Sequence, residues 1–411
     1  MTCDDSNIGR LVGYFESGIK PKGEGALGVE LEHFVVGKRG FFPVFCDDVF
    51  GSLAIVRRLY DELSAHSHVN PVLEDGVLLG FDADDYSVSL EPAGQVEISI
   101  KATADIGWIA VAYDDFRKRM ERILVGGDLA LVNAGYMPNG KAAAMRLIPK
   151  ERYRRMLRHF ASTGKYGENM MKGTASLQVS IDYFSEADFR MKYRVGIKLM
   201  PVLKLLAVNS PMFEGRSNSN CLIRTMIWNG TDPKRCSYPS KAFSDCFSFA
   251  DYAEYALDQK MIYYPFGEYG GTDISVRDFF AGRNMSDDDV SFVLSMVFPE
   301  IRLKRCLELR GMDSLRLDRA LHVLALIKGL FYNAEALEHV DGMLSADPDA
   351  LEETEASISS KGWCGTVFGY DAKALADELM SVACDGLEGD DKRILSTFQS
   401  GFRSHNGMLI R

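Results

Sequence analysis

The sequence lacks long apolar runs and the usual signals of a membrane or secreted protein. Its apolar stretches are much shorter than the roughly 20 residues that cross a bilayer, and residues 1–5 (MTCDD) do not begin a basic and apolar signal region. We therefore expect no membrane partner and a cytoplasmic location. The eight cysteines are scattered without a C-x-x-C pair, which fits neither a zinc site nor a dense disulfide framework.

Basic residues are outnumbered by acidic ones. The formal net charge of −11 argues against a nucleic-acid partner, because binding to a phosphate backbone needs a basic surface. The remaining composition, 46% hydrophobic and 26% charged, is typical of a globular protein. We expect small-molecule partners, and the sequence does not indicate an oligomeric state.

Common phosphate-binding and hydrolase motifs are absent as well. The chain contains no G-x-x-x-x-G-K-[ST], G-x-S-x-G or H-E-x-x-H motif, and its seven histidines show no metal-ligand spacing. Residues 23–28 (GEGALG) match G-x-G-x-x-G, but that motif needs a strand before it and a helix after it. Here a strand pattern follows, so we reject a dinucleotide-binding loop. If ATP binds, arginines and metal ions on a sheet hold it.

No internal repeat, low-complexity tract or linker divides the chain. Strand patterns at residues 29–36 and 172–183 are interleaved with helical patterns at 106–124 and 185–208, and the last third is mostly helical. Large sheet folds of about this length form one folding unit. We expect an α+β fold and a single domain that spans residues 1–411.

The most informative segment is residues 298–310 (FPEIRLKRCLELR). If it is one strand, a period of two places the polar residues on one face and leucines on the other. The polar face then carries Arg302, Lys304, Glu308 and Arg310. Cations neutralise phosphate oxygens, and a carboxylate recruits the divalent ion that bridges them. This face therefore suits a nucleoside triphosphate held with a metal ion.

Three more strand patterns carry polar faces. Their polar residues are Glu30 and Glu32, then Glu91, Gln95 and Glu97, then Gln178 and Asp182. One such pair alone suits a solvated edge strand equally well, because buried like charges are costly unless neutralised. Recurrence of the pattern favours convergence on one site. Hard oxygen ligands without thiolates or paired histidines select magnesium or manganese.

These motifs, taken in order, resemble those of plant-type glutamate–cysteine ligases, which also occur in bacteria and belong to the glutamine-synthetase-like carboxylate–amine ligases. The resemblance covers about residues 25–335 and leaves residues 336–411 unmatched. It rests on residues 28–34 (GVELEHF), 90–97 (LEPAGQVE), 170–182 (MMKGTASLQVSID), 209–215 (NSPMFEG), 224–228 (RTMIW) with Asp232 and Arg235, and 298–311 (FPEIRLKRCLELRG).

The resemblance implies a curved, largely antiparallel sheet that forms a funnel, with helices packed outside. It implies ATP-dependent joining of the γ-carboxylate of L-glutamate to the amine of L-cysteine through a γ-glutamyl phosphate. Two other functions stay open: the same ligation with a different amine acceptor, and a non-catalytic nucleotide-binding relative. Against the second, every charged position that the mechanism needs is occupied.

Specific roles follow from the resemblance alone. One magnesium ion would be held by Glu32, Glu91 and Glu97, and another by Glu30, Gln178 and Glu308. The glutamate substrate would be bound by Arg224 beside Trp228, with Gln95 and Arg235 as further substrate-binding candidates. The ATP phosphates and the transferring charge would face Arg302, Lys304 and Arg310.

Overall fold

A nine-stranded sheet organises the computed structural model, which describes residues 3–267 and 273–404. Two small hairpins, β8–β9 and β12–β13, lie apart from this sheet. The strands are β1 (Leu27–Gly37), β2 (Asn70–Glu74), β3 (Val77–Asp82), β4 (Tyr86–Leu90), β5 (Val96–Thr103), β6 (Leu129–Val132), β7 (Ser176–Ile181), β8 (Met212–Phe213), β9 (Arg216–Ser217), β10 (Ile301–Leu303), β11 (Leu307–Asp313), β12 (Thr366–Val367) and β13 (Tyr370–Asp371).

Every pairing in the large sheet is antiparallel. The order across it is β10-β11-β7-β1-β5-β4-β3-β2, and β6 pairs with the C-terminal half of β1. The long central strand β1 therefore has neighbours on both sides, which places its polar residues in the middle of the sheet. This arrangement confirms the predicted α+β class with an antiparallel sheet.

Helices surround the sheet. They are α1 (Cys3–Glu16), α2 (Ser52–Ser64), α3 (Ile106–Val125), α4 (Glu151–Thr163), α5 (Gly167–Gly173), α6 (Glu186–Leu206), α7 (Ile223–Asn229), α8 (Pro233–Cys236), α9 (Phe249–Leu257), α10 (Val276–Phe279), α11 (Asp287–Leu294), α12 (Leu317–Phe331), α13 (Ala334–Met343), α14 (Pro348–Lys361), α15 (Ala372–Asp385) and α16 (Gly389–Ser404). No single helix among the described residues is long and apolar enough to cross a membrane, and α12 with α13 would be so only as a pair bent by 90°.

Alternation in β1 separates the core from the polar face. Val29 and Leu31 are buried in the hydrophobic core. Glu30 and Glu32 alternate with them along the strand and therefore point to the other side of the sheet. His33 is also buried, with its ring nitrogens 3.0 Å from the carbonyl oxygen of Val96 and 2.8 Å from the hydroxyl of Tyr113. Burial lowers the pKa of His33 to about 3, so this histidine is a neutral structural residue.

The prediction that residues 298–310 form one continuous strand is wrong. The structure divides it into β10 and β11, which pair as a hairpin with Arg302 directly opposite Glu308. The amide of Lys304 donates to the carbonyl oxygen of Cys306 at 2.9 Å and closes the turn. The charged residues still meet, because residues opposite each other in an antiparallel pair share a face.

Two further boundaries differ from the sequence-based expectations. The strand expected to begin at residue 172 begins at Ser176, because residues 167–173 form the short helix α5. The helix expected over residues 185–208 is α6, whose N-cap Ser185 accepts a hydrogen bond from the amide of Asp188. Helix α6 packs against β10 and β11 on one side and against α13 and α14 on the other.

Candidate active site

Three adjacent strands bring predicted acidic residues to one face of the sheet. Strand β1 lies between β5 and β7. Glu32 is directly opposite Glu97 on β5, and Glu30 is directly opposite Gln178 on β7. Cross-strand neighbours have Cβ atoms about 5 Å apart, so the pairing builds one continuous polar wall.

Glu32 is a buried carboxylate within this wall. Its Oε2 accepts a hydrogen bond from the amide of Ser176 at 2.6 Å, and its Oε1 accepts one from Nε2 of Gln178 at 3.2 Å. Burial, and then repulsion from Glu91, raises the pKa of Glu32 to about 7, although Arg224 and Ser176 oppose the shift. The carboxyl group of Glu32 therefore stays protonated up to nearly neutral pH unless a bound cation stabilises the charged carboxylate.

Glu30 and Glu97 have pKa values shifted in the same direction. Burial and then Glu308 raise the pKa of Glu30, against the opposing effect of nearby cations. Burial raises the pKa of Glu97 well above its usual value, and three neighbouring carboxylates add to the effect. Crowded carboxylates in a low-dielectric site either hold protons or bind a cation. The wall is therefore suited to a metal ion.

Cations occupy the neighbouring β10–β11 hairpin. The Nε of Arg302 donates to Oε2 of Glu308, Nζ of Lys304 lies 2.8 Å from Oε1, and a guanidinium nitrogen of Arg310 lies 3.6 Å from Oε2. Burial alone would raise the pKa of Glu308, but these three cations outweigh it and hold the pKa well below its usual range. Three positive charges around one carboxylate leave this wall with a net positive charge.

Helix α7 contributes a fourth cation, which is separate from the hairpin. The guanidinium carbon of Arg224 lies 4.5 Å from the ring centre of Trp228, a cation–π distance. One terminal nitrogen donates to the carbonyl oxygen of Arg310 at 3.2 Å. The Nε lies 3.8 Å from Oδ1 of Asp313 and has no hydrogen-bond partner. The buried Asp313 is itself held by the hydroxyl of Ser210, which donates to Oδ2 at 2.6 Å.

A cavity of about 320 Å³ lies between these walls. Eleven of the thirteen predicted site residues line it: Glu30, Glu32, Glu91, Gln95, Glu97, Gln178, Arg224, Trp228, Arg302, Lys304 and Arg310. The structure therefore brings together residues that are far apart in the chain. The predicted metal ligands other than Glu308 form the acidic wall, and the predicted phosphate-binding cations form the basic wall.

Arg235 lies outside the cavity, and its predicted role in substrate binding is wrong. Its Nε donates to Asp232 at 3.0 Å, and its two terminal nitrogens donate to the carbonyl oxygens of Met296 and Lys260 at 2.8 and 2.5 Å. The side chain is almost fully buried. Because every guanidinium nitrogen is engaged, Arg235 ties together the segments behind the cavity.

Gln95 and Glu308 also differ from their predicted roles. The amide nitrogen of Gln95 donates to the carbonyl oxygens of Met171 and Thr174 at 3.2 and 2.9 Å, and its Oε1 accepts from the amide of Ala93. Its side chain thus holds the loop before β7 in place and has no donor left for a substrate. Glu308 does not line the cavity, and both of its oxygens accept from cations. It therefore anchors the basic wall.

The cavity also contains residues that the sequence-based prediction missed. Lys150, Arg152 and Tyr153 line it from the start of α4, and a guanidinium nitrogen of Arg152 donates to the carbonyl oxygen of Ser295 at 2.7 Å. Their sequence signal is the basic run in residues 150–155 (KERYRR). That run lies on a helix, so a search for period-two alternation does not detect it.

The acidic wall is open. Within residues 3–267 and 273–404, no three side chains of His, Cys, Asp or Glu lie close enough together to hold a metal ion by themselves. Magnesium, however, usually keeps several waters and takes one or two protein carboxylates together with substrate phosphates. The crowded, buried carboxylates fit that kind of site better than a structural site that is closed by protein ligands alone.

Sequence comparison identifies the family. The profile described as glutamate–cysteine ligase family 2 matches residues 26–384. The chain belongs to this family. Its membership confirms the resemblance drawn from the ordered motifs, and it confirms that the chain is a ligase. The match extends past residue 336, so α13, α14 and nearly all of α15 also belong to the family's shared sequence, whereas α16 lies beyond the match.

Named glutamate–cysteine ligases from plants are similar over most of the chain. Glutamate–cysteine ligase B from Oryza sativa subsp. japonica is 29% identical over 392 residues, which cover 92% of this chain and 77% of that protein. The enzyme from Arabidopsis thaliana is 29% identical over 389 residues, covering 92% and 73%. Both are named as chloroplastic enzymes. This contradicts the cytoplasmic location predicted from the sequence.

A solved bacterial glutamate–cysteine ligase supports the fold. The enzyme of Francisella tularensis, crystallised in complex with AMP, superposes with a TM-score of 0.55 at 11% identity, covering 95% of this chain and 83% of that chain. At that identity the likeness concerns the fold alone. It agrees with the antiparallel sheet and surrounding helices expected for this family.

Proposed function

We propose that this protein joins the γ-carboxylate of glutamate to the amine of cysteine at the expense of ATP, releasing γ-glutamylcysteine, ADP and phosphate. The observation that carries this proposal is one cavity with an acidic wall, a basic wall and a separate buried arginine, in a chain of glutamate–cysteine ligase family 2. Such a cavity has room for a polyphosphate, a divalent ion and an amino acid together.

Arg224 is the proposed anchor for the α-carboxylate of glutamate. A guanidinium group binds a carboxylate through two parallel hydrogen bonds, and Arg224 lines the cavity from beneath Trp228. The nearby buried Asp313 lies against its Nε side. Both neighbours restrict the orientation of the guanidinium, which supports a positioning role in binding the amino acid.

Arg302, Lys304 and Arg310 are the proposed binding groups for the ATP phosphates. All three line the cavity, and all three surround Glu308. In phosphoryl transfer, the protein contributes mainly positioning and charge stabilisation around the transferring group. The Glu308 carboxylate offsets the mutual repulsion of these cations and so holds them side by side on the basic wall.

The acidic wall is the proposed site for magnesium or manganese. Glu32, Glu91 and Glu97 would hold one ion, and Glu30 with Gln178 a second. When bound, such ions neutralise charge on the phosphoryl oxygens. The raised pKa values of the buried glutamates support this assignment, because a cation would relieve their mutual repulsion.

The reaction needs no side-chain nucleophile. The γ-carboxylate of glutamate attacks the γ-phosphoryl group of ATP, and the bond to ADP breaks. The amine of cysteine then attacks the acyl phosphate, loses a proton and expels phosphate. Met156, Met170 and Met171 line the same cavity. Their polarizable thioethers are a suitable surface for a thiol side chain, which supports cysteine as the acceptor.

We also propose that residues 1–411 act as one catalytic domain. Helix α6 packs on the strands that carry the basic wall, and the same helix packs against α13 and α14 from the C-terminal part. The C-terminal helices thus share a core with the sheet.

The decisive experiment measures magnesium-dependent ADP release at fixed glutamate with cysteine, 2-aminobutyrate, alanine, glycine, ammonia or no amine. We expect the strongest signal with cysteine or 2-aminobutyrate, and a γ-glutamyl product by mass spectrometry. Preference for another amine would keep the ligase and change its acceptor. If folded protein releases no ADP with any of these amines, the result would contradict the proposal and favour a non-catalytic relative.

A further inference from the structure

A buried ion cluster lies directly behind the arginines of the cavity. Lys204, in the last turn of α6, is 3% exposed. Its Nζ lies 2.5 Å from Oε1 of Glu300 and 2.6 Å from Oε1 of Glu355. We name these three residues the buried triad. Burial alone would lower the pKa of Lys204, but the two carboxylates outweigh it and raise the pKa, so the amine is charged.

The buried triad connects two active-site elements to the C-terminal part of the chain. The backbone carbonyl of Glu300 accepts a hydrogen bond from the amide of Arg310 at 2.8 Å. Glu355 belongs to α14, and its Oε2 accepts from Nδ2 of Asn229 at 3.2 Å. Asn229 is the last residue of α7, the helix that carries Arg224. The triad thus links β11, α7 and α14 around one ammonium group.

The contact between the triad and the cavity wall is close. Glu300 borders a small void of about 10 Å³ together with Arg224, Trp228 and Arg310. A methyl group added at Gly311 would lie 3.2 Å from Cε of Lys204 and 3.4 Å from the carboxyl carbon of Glu300. The strand that carries Arg310 therefore packs directly on the triad.

The charges of the triad complement those of the cavity. One ammonium and two carboxylates leave one negative charge behind two buried arginines. The Nε of Arg224 has no hydrogen-bond partner, and one terminal nitrogen donates to the carbonyl oxygen of Arg310. Attraction between charges therefore remains to stabilise the placement of this guanidinium. Burial lowers the pKa of Arg224, and Glu300 is one of three carboxylates that oppose that shift.

We infer that the buried triad positions Arg224 for glutamate binding and thereby makes helix α14 part of the catalytic centre. The inference rests on the proposed function, because it assigns a task to an arginine of the same cavity. Lys204, Glu300 and Glu355 are positioning residues, since none of them lines the main cavity.

Two single variants and one double variant test this inference. Lys204→Met leaves two buried carboxylates without their shared cation, and Glu355→Gln keeps the Lys204–Glu300 pair while removing one charge. We expect each to raise the KM for glutamate by about tenfold and to leave the KM for ATP within about twofold. The double variant combines Lys204→Met with Glu355→Gln, which leaves the triad with one negative charge, as in the wild type. Its KM for glutamate should therefore lie closer to the wild-type value than that of Lys204→Met.

Lys198→Met is the matched control. Lys198 is also a buried lysine of α6, and its Nζ lies 2.6 Å from Oδ1 of Asp341 on α13. It does not line the cavity. Loss of this ion pair should lower the free energy of unfolding and leave both KM values unchanged, since a purely structural lysine affects the amount of folded protein.

The outcomes separate the inference from the proposed function. Triad variants whose KM values match those of Lys198→Met, at a comparable loss of stability, would overturn the inference while the ligase activity stands. If wild-type protein makes no γ-glutamylcysteine, calorimetric titration with glutamate still compares the variants. Selective loss of glutamate affinity would then support the triad, and a wild-type protein that neither turns over nor binds glutamate would overturn both proposals.

Discussion

Replacing Glu32 by glutamine tests two proposed consequences of crowding carboxylates in the acidic wall. One is a lower stability of the metal-free fold at high pH, and the other is the binding of a metal ion. Folding raises the pKa of Glu32 from 4.5 to about 7. Between these values the folded protein holds a proton that the unfolded chain has released, so the free energy of unfolding falls as the pH rises through this window. Above pH 7, the charged carboxylate destabilises the metal-free fold by roughly 3 kcal/mol, because each pKa unit corresponds to about 1.4 kcal/mol.

Glu32→Gln removes this penalty. Its amide oxygen can still accept from the amide of Ser176, and only the longer bond from Nε2 of Gln178 is lost. In urea unfolding with a chelator present, we expect the variant to be more stable than wild type by roughly 3 kcal/mol at about pH 8.5 and by far less at about pH 5. With magnesium, ATP, glutamate and cysteine, its turnover should fall by about 10²–10³, since it has lost one proposed metal ligand.

The matched control is Glu338→Gln, at an exposed position on α13. It should change neither the pH dependence of stability nor the turnover. Full activity of Glu32→Gln with an ordinary magnesium requirement would refute the metal assignment. A stability difference that does not depend on pH would refute the argument from burial and repulsion.

Three further substitutions have distinct expected results. Arg224→Ala should raise the KM for glutamate by about 10²-fold, because a charge-assisted pair is lost, and should change the KM for ATP far less. Equal effects on both KM values in steady-state kinetics would show that Arg224 is not in the glutamate site. Arg235→Met should lower the free energy of unfolding by several kcal/mol, since the carbonyl oxygens of Met296 and Lys260 lose this donor and Asp232 keeps only His159. A changed KM in fully folded protein would restore the predicted substrate role of Arg235. Gly135→Ala should destabilise the protein by about 1–3 kcal/mol and raise the glutamate KM, because the added methyl overlaps the carboxylate of Asp313; wild-type kinetics would show that Asp313 does not orient Arg224.

Much of the acidic wall was predictable because alternation in a strand is a local property. Within each of the strands β1, β5 and β7, every second residue lies on the same face, whatever the rest of the chain does. The same local argument explains the success with helices such as α3 and α6, whose apolar faces recur with helical spacing.

The errors arose where a decision depended on distant residues. Alternation alone does not reveal the turn that converts residues 298–310 into a hairpin, because Lys304 and Cys306 close it through the backbone. A motif containing Arg235 does not reveal that Met296 and Lys260 occupy its donors. The basic run at the start of α4 lines the cavity, and the packing of α4 against α5 that places it there is not visible in a local pattern.

From the sequence alone, the residue types predict the kind of chemistry: carboxylates suit a divalent ion and cations suit phosphates, because these pairings depend on charge and ligand hardness. The order of the motifs adds, through the family resemblance, an arginine expected to bind an amino acid. Which charges meet is set by the tertiary structure. Register placed Glu32 opposite Glu97, the hairpin gave Glu308 to Arg302, and helix packing enclosed Lys204 between two carboxylates. Such contacts depend on distances between segments that are far apart in the chain, and no local pattern encodes those distances.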